Sequence, residues 1–205
     1  MFSQNQEEEI ILKYFGDFKG TFLSLGENDG VTLSNVRALA LNDWRGVLVE
    51  PSPKAFSRLE QNYLELKSKG QFYLYQYAIG EHNGNFDLYE SGELLKKGDV
   101  GLVSTFNQSE MDRFKSVLNY EPVKVKMFRW KTFLNRLSIK EFDFISIDCE
   151  GNDEGILRQM DFESLKAKCL CVEWNSRPEL HKAYSEILNN FRIIYTSAEN
   201  LIFVK

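Results

Sequence analysis

Two acid-bearing stretches hold the residues best suited to chemistry. In the first, an apolar run, Thr21-Phe22-Leu23-Ser24-Leu25, enters Gly26-Glu27-Asn28-Asp29-Gly30. A helix-like segment follows, and a second apolar run, Gly46-Val47-Leu48-Val49, stops at Glu50. Strand, glycine turn, helix, strand and carboxylate is the layout of a nucleoside-binding βαβ unit, whose terminal acid can accept hydrogen bonds from ribose hydroxyls. Asn28 stands where a dinucleotide site needs its middle glycine, which disfavours close approach of a pyrophosphate. S-adenosylmethionine carries no phosphate and meets no such objection. The plainer alternative is a tight turn made by Gly26 and Gly30, with Glu50 a solvated charge.

In the second stretch, Phe144-Ile145-Ser146-Ile147 runs into Asp148-Cys149-Glu150-Gly151-Asn152-Asp153-Glu154. Ligands of open α/β sheets lie beyond the carboxyl ends of the strands, so Asp148 is expected to face the same crevice as Gly26. A carboxylate there can orient an acceptor hydroxyl or take its proton. An alternative set, Asp148, Glu173 and Asn175, would hold Mg²⁺. Asn152 or Asp153 also suits the cap of a following helix. A carboxylate ending a buried strand costs desolvation unless partnered, which favours function at Asp148.

The surrounding pattern supplies the elements. Helical spacing appears over residues 6–15, 32–41, 53–69, 130–137, 153–160 and 178–189. Ser52 and Pro53 suit a helix start, and Gly70 a stop. Strand-like runs cover residues 71–79, 86–89, 123–127, 142–149, 169–174, 191–196 and 201–205. Asn83-Gly84 suggests a hairpin turn. Ser91 to Ser109 has no period, as a lid or binding loop would. Strands alternating with helices predict a mostly parallel sheet covered on both faces, closed by an antiparallel hairpin.

The 205 residues, 43% of them hydrophobic, suit a single domain over 1–205 with a helical N-terminal extension (1–18) and an insertion or lid region (83–120). A net charge of −5 gives no electrostatic reason to expect nucleic acid as a partner. The N-terminus is polar and acidic, without the pattern of a secretory signal, and no apolar run approaches the ~20 residues that span a bilayer. The expectation is a cytoplasmic protein without a membrane partner. Cys169 and Cys171 are expected as small buried hydrophobes sharing a strand face.

Four stretches together resemble the FkbM family of S-adenosylmethionine-dependent methyltransferases. They are Ser3 to Glu7, Phe22 to Gly30 with Ser34-Asn35, Val49-Glu50-Pro51-Ser52-Pro53, and Asp143 to Glu154. The last is similar to that family's Asp-x-x-x-Ile-Asp-x-Glu-Gly-x-Glu signature. The resemblance implies a Rossmann-like class I fold with strand order 3-2-1-4-5-7-6. It also implies methyl transfer to an oxygen of a sugar, glycan or natural product. Gly26, Glu27, Asn28, Asp29 and Gly30 would hold the methionine part of S-adenosylmethionine, with Ser34, Asn35, Pro51 and Ser52 in the same cofactor set. Glu50 would hold the ribose, Ala78 and Ile79 would flank the adenine, and Asp148 and Glu150 would face the methyl-transfer site. Members commonly carry Asp where Ser24 stands; Glu27 is the candidate substitute. Two alternatives stay open: a metal-dependent O-methyltransferase of the same fold, and a non-catalytic nucleoside-binding module.

Overall fold

The computed structural model describes residues 1–67, 71–95 and 101–205. The expected helix stop at Gly70, and residues 96–100 of the aperiodic stretch, lie outside them.

The chain runs through α1 (Glu7–Phe15), β1 (Thr21–Leu25), α2 (Arg37–Leu41), β2 (Arg45–Val49), α3 (Pro53–Asn62), α4 (Leu64–Lys67) and β3 (Phe72–Tyr75). There follow β4 (Ala78–Ile79), β5 (Gly84–Ser91), α5 (Gln108–Phe114), β6 (Tyr120–Phe128), α6 (Trp130–Leu134) and β7 (Phe144–Ile147). The last elements are α7 (Asp153–Leu157), β8 (Cys169–Glu173), α8 (Pro178–Ile187), β9 (Arg192–Thr196) and β10 (Asn200–Val204).

Seven strands form one sheet in the order β3-β2-β1-β7-β8-β10-β9. Counted within that sheet, the order is 3-2-1-4-5-7-6. The pairs among β3, β2, β1, β7 and β8 are parallel, and β10 is antiparallel to both β8 and β9. This is the mostly parallel α/β architecture that the sequence predicts. The order reverses between β1 and β2 on one side and β7 on the other, which opens a crevice at their carboxyl ends.

Alternation along each strand sorts the core into two layers. Leu23, Leu25, Ile145, Ile147, Leu170 and Val172 pack with α6, α7 and α8 side chains such as Phe133, Ile156 and Tyr184. Phe22, Phe144, Cys169 and Cys171 face Ile11, Leu39 and Leu59 of α1, α2 and α3. Each fully buried Leu, Ile or Phe contributes roughly 1.5–3 kcal/mol. The two cysteines share a face, as expected.

Several boundaries differ from the sequence reading. The helix expected over 32–41 is confined to Arg37–Leu41. Leu33 takes φ 58°, and Ser3 bridges to Leu33 in parallel fashion. The Ser34 hydroxyl accepts from the backbone N–H of Val36 and Arg37, so the helix starts later. The long helix from Pro53 breaks at Tyr63 into α3 and α4. The single strand expected over 71–79 divides: β3 stays in the main sheet, while β4 joins a second, three-stranded sheet, β4-β6-β5. There β5 pairs antiparallel with β6, not with β4 across Asn83-Gly84. The long-range pairing overrides the local hairpin signal because β5 and β6 match over eight consecutive positions.

Candidate functional site

A cavity of about 320 Å³ lies across the ends of β1, β2, β7 and β8. The glycine turn forms its floor. Gly26 has φ 77° and Asn28 has φ 53°, both left-handed. Asn lies among the side chains that tolerate this region. The N–H groups of Gly26 and Glu27 both reach the Val49 carbonyl, at 2.9 and 3.1 Å. This ties the turn to the end of β2.

Glu27 is almost fully buried in the turn. Ser24 Oγ donates to its Oε2 at 2.5 Å and Ser34 Oγ to its Oε1 at 2.6 Å. Burial pushes its pKa up to about 7 against the pull of those two hydroxyls. Glu50 ends β2. Asn28 N–H donates to its Oε2 at 2.8 Å and Ser52 N–H to its Oε1 at 2.7 Å. Burial again dominates and raises its pKa to about 7. Each Glu50 oxygen keeps lone-pair capacity beyond its backbone donor.

Opposite stand the acids of the β7 end. Asp148 and Glu150 line the cavity, Glu150 with φ 48°. Burial raises Asp148 to about 8, and the charges of Asp153, Glu27 and Glu50 add to the rise. Glu150 is raised strongly by burial, then by Asp148 and Asp153. Asp153 is already held: its carboxylate accepts from Cys149 N–H at 2.8 Å and Gly151 N–H at 3.1 Å. It therefore fastens the loop before α7; the expected helix cap is not made, since the N-cap residue Asn152 forms no side-chain cap hydrogen bond.

Of the cofactor set expected from sequence, Gly26, Glu27, Asn28, Ser34, Asn35, Glu50, Pro51, Ala78 and Ile79 all line this one cavity. Asp29, Gly30 and Ser52 are not among its lining residues. Asp29 accepts from Val31 N–H, Thr32 N–H and the Thr32 hydroxyl, and so braces the turn. Gly30 packs against Leu59 and Tyr63. Ser52 caps α3 through Ala55 N–H and donates to Glu90. Of the alternative metal set, Glu173 and Asn175 line the same cavity as Asp148.

Ser24 and Ser146 are register partners on β1 and β7, and both face the cavity. Their hydroxyls do not pair. Ser24 turns to Glu27, and Ser146 accepts weakly from Asn35 Nδ2 at 3.4 Å.

Other lining residues escaped the sequence reading. Tyr77 and Leu88 contribute apolar wall, Val103 and Phe106 come from the aperiodic region, and Arg113 and Phe114 come from α5. The aperiodic stretch is tied to the acidic loop: Thr105 Oγ1 donates to the Glu150 carbonyl at 2.7 Å and Asn107 Nδ2 to the Gly151 carbonyl at 3.0 Å. Buried Glu110 joins α5 to the loop after β8, accepting from Arg177 at 2.7 Å. Gln4 reaches the cavity because Ser3 pairs with Leu33 and because Asn5 and Ser197 both donate to Glu7. No local period announces contacts of this kind.

The chain matches the Methyltransferase FkbM domain family over residues 24–194. No curated protein matches it. Among solved structures it is similar to the methyltransferase FkbM from Methylobacillus flagellatus KT, with a TM-score of 0.56 and 10% identity over 91% of this chain. That alignment spans 44% of the other protein, so this chain corresponds to under half of its length. It is also similar to a putative RNA methyltransferase from Pyrococcus horikoshii, with a TM-score of 0.50, 16% identity, and coverage of 98% and 83% of the two chains. At these identities the likeness is one of fold.

Proposed function

Since the chain belongs to the FkbM methyltransferase family, we propose that it is an S-adenosylmethionine-dependent O-methyltransferase acting on a hydroxyl of a sugar, glycan or natural product. One observation carries the reading: the glycine turn, Glu50 and the Asp148–Glu150 pair line a single cavity.

The residues suit the cofactor. Glu27 and the Ser24, Ser34 and Asn35 side chains give a polar end for an amino acid group. Glu50, pinned by two backbone donors, presents its oxygens to a ribose. Tyr77, Ala78, Ile79 and Val103 offer an apolar wall for the adenine. When bound, S-adenosylmethionine supplies a methyl group already activated at a sulfonium, so no nucleophilic side chain is required.

The acceptor hydroxyl is oriented by Asp148 and Glu150. Two neighbouring carboxylates in this acidic surrounding do not both ionise easily without a positive charge beside them. The ionised member accepts the hydroxyl hydrogen, aligns the oxygen for in-line attack and receives its proton. Thr105 and Asn107 hold the loop that carries Glu150.

RNA is the acceptor class that one structural neighbour's description raises. The cavity lining favours an uncharged hydroxylated acceptor instead: Glu27, Glu50, Asp148, Glu150, Glu173 and Glu199 line it against Arg113, which leaves little positive charge to hold phosphates. No helix among the described residues is long and apolar enough to cross a membrane.

Calorimetric titration with S-adenosylmethionine, S-adenosylhomocysteine and NAD tests the cofactor. Binding of the first two, with NAD silent, supports the reading; binding of NAD alone sinks it. Transfer of labelled methyl to a panel of polyols, glycans and RNA then identifies the acceptor class.

A further inference from the structure

Seven of the acids around the crevice and its loops divide into two kinds. Glu27, Glu50, Asp153 and Glu110 are each held by hydrogen bonds from hydroxyls, backbone N–H groups or arginines. Asp148, Glu150 and Glu173 have no ion pair among the described residues, and they converge. One carboxylate oxygen from each lies within 4.8 Å of the other two. Glu173 is 7% exposed, and its Oε2 is buried with no hydrogen-bond partner. Three carboxylates this close repel one another, and a buried, unpartnered oxygen costs desolvation without return.

From this geometry we propose that Asp148, Glu150 and Glu173 bind a hard divalent cation beside the methyl-transfer site. All three donors are carboxylate oxygens, the ligands of Mg²⁺, Ca²⁺ and Mn²⁺ rather than of zinc or copper. Oxygens up to ~4.8 Å apart fit the opposite corners of a site with ligands at ~2.4 Å, the Ca²⁺ distance; a small contraction suits Mg²⁺ at ~2.1 Å. Three protein ligands leave coordination positions for water or for a hydroxyl of the acceptor. The Asn175 carbonyl, on the same cavity wall, is a candidate fourth ligand. The donor set differs from the one the sequence suggests, because Glu150 joins in. Its left-handed backbone belongs to the loop that Thr105 and Asn107 fasten.

Cation binding itself does not depend on methyl transfer; its placement beside an acceptor rests on the proposed function. The test uses chelator-treated protein and Mn²⁺, with free Mn²⁺ read by electron paramagnetic resonance and Mg²⁺ or Ca²⁺ as competitors. One bound Mn²⁺ per chain, displaced by either competitor, is expected. Glu173→Gln and Glu150→Gln are each expected to weaken it at least tenfold. The exposed Asp87→Asn is expected to leave it unchanged. S-adenosylmethionine affinity, measured on the same variants, shows whether the pocket has kept its fold. No Mn²⁺ binding by wild-type protein, or binding by both variants as tight as wild type, overturns the cation site. Cation binding with no affinity for S-adenosylmethionine leaves the site standing and removes the methyltransferase reading instead.

Discussion

Gly26 and Asp148 meet backbone to backbone: a Cβ at Gly26 would lie 1.7 Å from the Asp148 carbonyl oxygen. Gly26 N–H also reaches Val49 O, and Asp148 N–H reaches Leu25 O. The ends of β1, β2 and β7 are thereby fastened at one point, the place where cofactor and acceptor are proposed to meet.

Gly26→Ala is therefore expected to be costly. The left-handed φ adds about 1 kcal/mol, and forcing the two loops apart adds about 1–3 kcal/mol. Thermal unfolding should show a fall of several degrees, at about 2–4 °C per kcal/mol for a chain of this size. Affinity for S-adenosylmethionine should fall with it. An unchanged melting temperature would mean that the loops separate freely.

Glu50→Gln removes a charged acceptor from two backbone donors and from the proposed ribose contact. Charge-assisted hydrogen bonds contribute about 1.5–3 kcal/mol, so cofactor affinity is expected to drop at least ~10-fold. Glu121→Gln, at a side chain 81% exposed, should leave affinity unchanged. Calorimetry giving equal affinities for the two variants would take Glu50 out of the ribose site.

Asp148→Asn should separate chemistry from binding. Loss of a positioned general base lowers turnover by ~10²–10⁴-fold. Dissociation constants for S-adenosylmethionine should move far less. The reverse pattern, weak cofactor binding with near-normal turnover at saturation, would assign Asp148 to the cofactor.

Glu27 gives a pH dependence with a definite sign. Its pKa stands at about 7 in the fold against 4.5 for the free side chain, mainly through burial. The folded state therefore holds a proton that the unfolded state has lost. The stability present below pH 4.5 is lost as pH rises through 7. Glu27→Gln, which cannot ionise, is expected to lose less stability than wild type between pH 5 and 8 in denaturant titrations. Parallel curves would show that Glu27 ionises in the fold as readily as in water.

Much of this was legible locally. The glycine turn, the Ser52–Pro53 helix start and the terminal hairpin rest on residues close in sequence, whereas the order of the main-sheet strands follows from the family resemblance. Glu50, Asp148 and Glu150 were picked out because each follows an apolar strand, where a carboxylate needs a reason to be. The second sheet was not legible. Whether residues 78–79 continue β3 or leave it depends on a partner, β6, about fifty positions away, and nothing in Ala78-Ile79 encodes that distance. The late start of α2 was only partly legible, since the Ser34 hydroxyl that receives the Val36 and Arg37 N–H groups is local but the Ser3 bridge to Leu33 is not.

The sequence alone determined which residues end the strands, because burial and alternation act over a few neighbouring positions and leave a period that can be read. Only the tertiary structure decided which carboxylates are already bonded and which are left facing one another. Ser24 and Ser34 satisfy Glu27, and the backbone of residues 28 and 52 satisfies Glu50. Asp148, Glu150 and Glu173 meet with the Glu173 Oε2 left unpaired, because electrostatic repulsion and unpaired oxygens are properties of distance in space, set by the parallel register of β7 against β8.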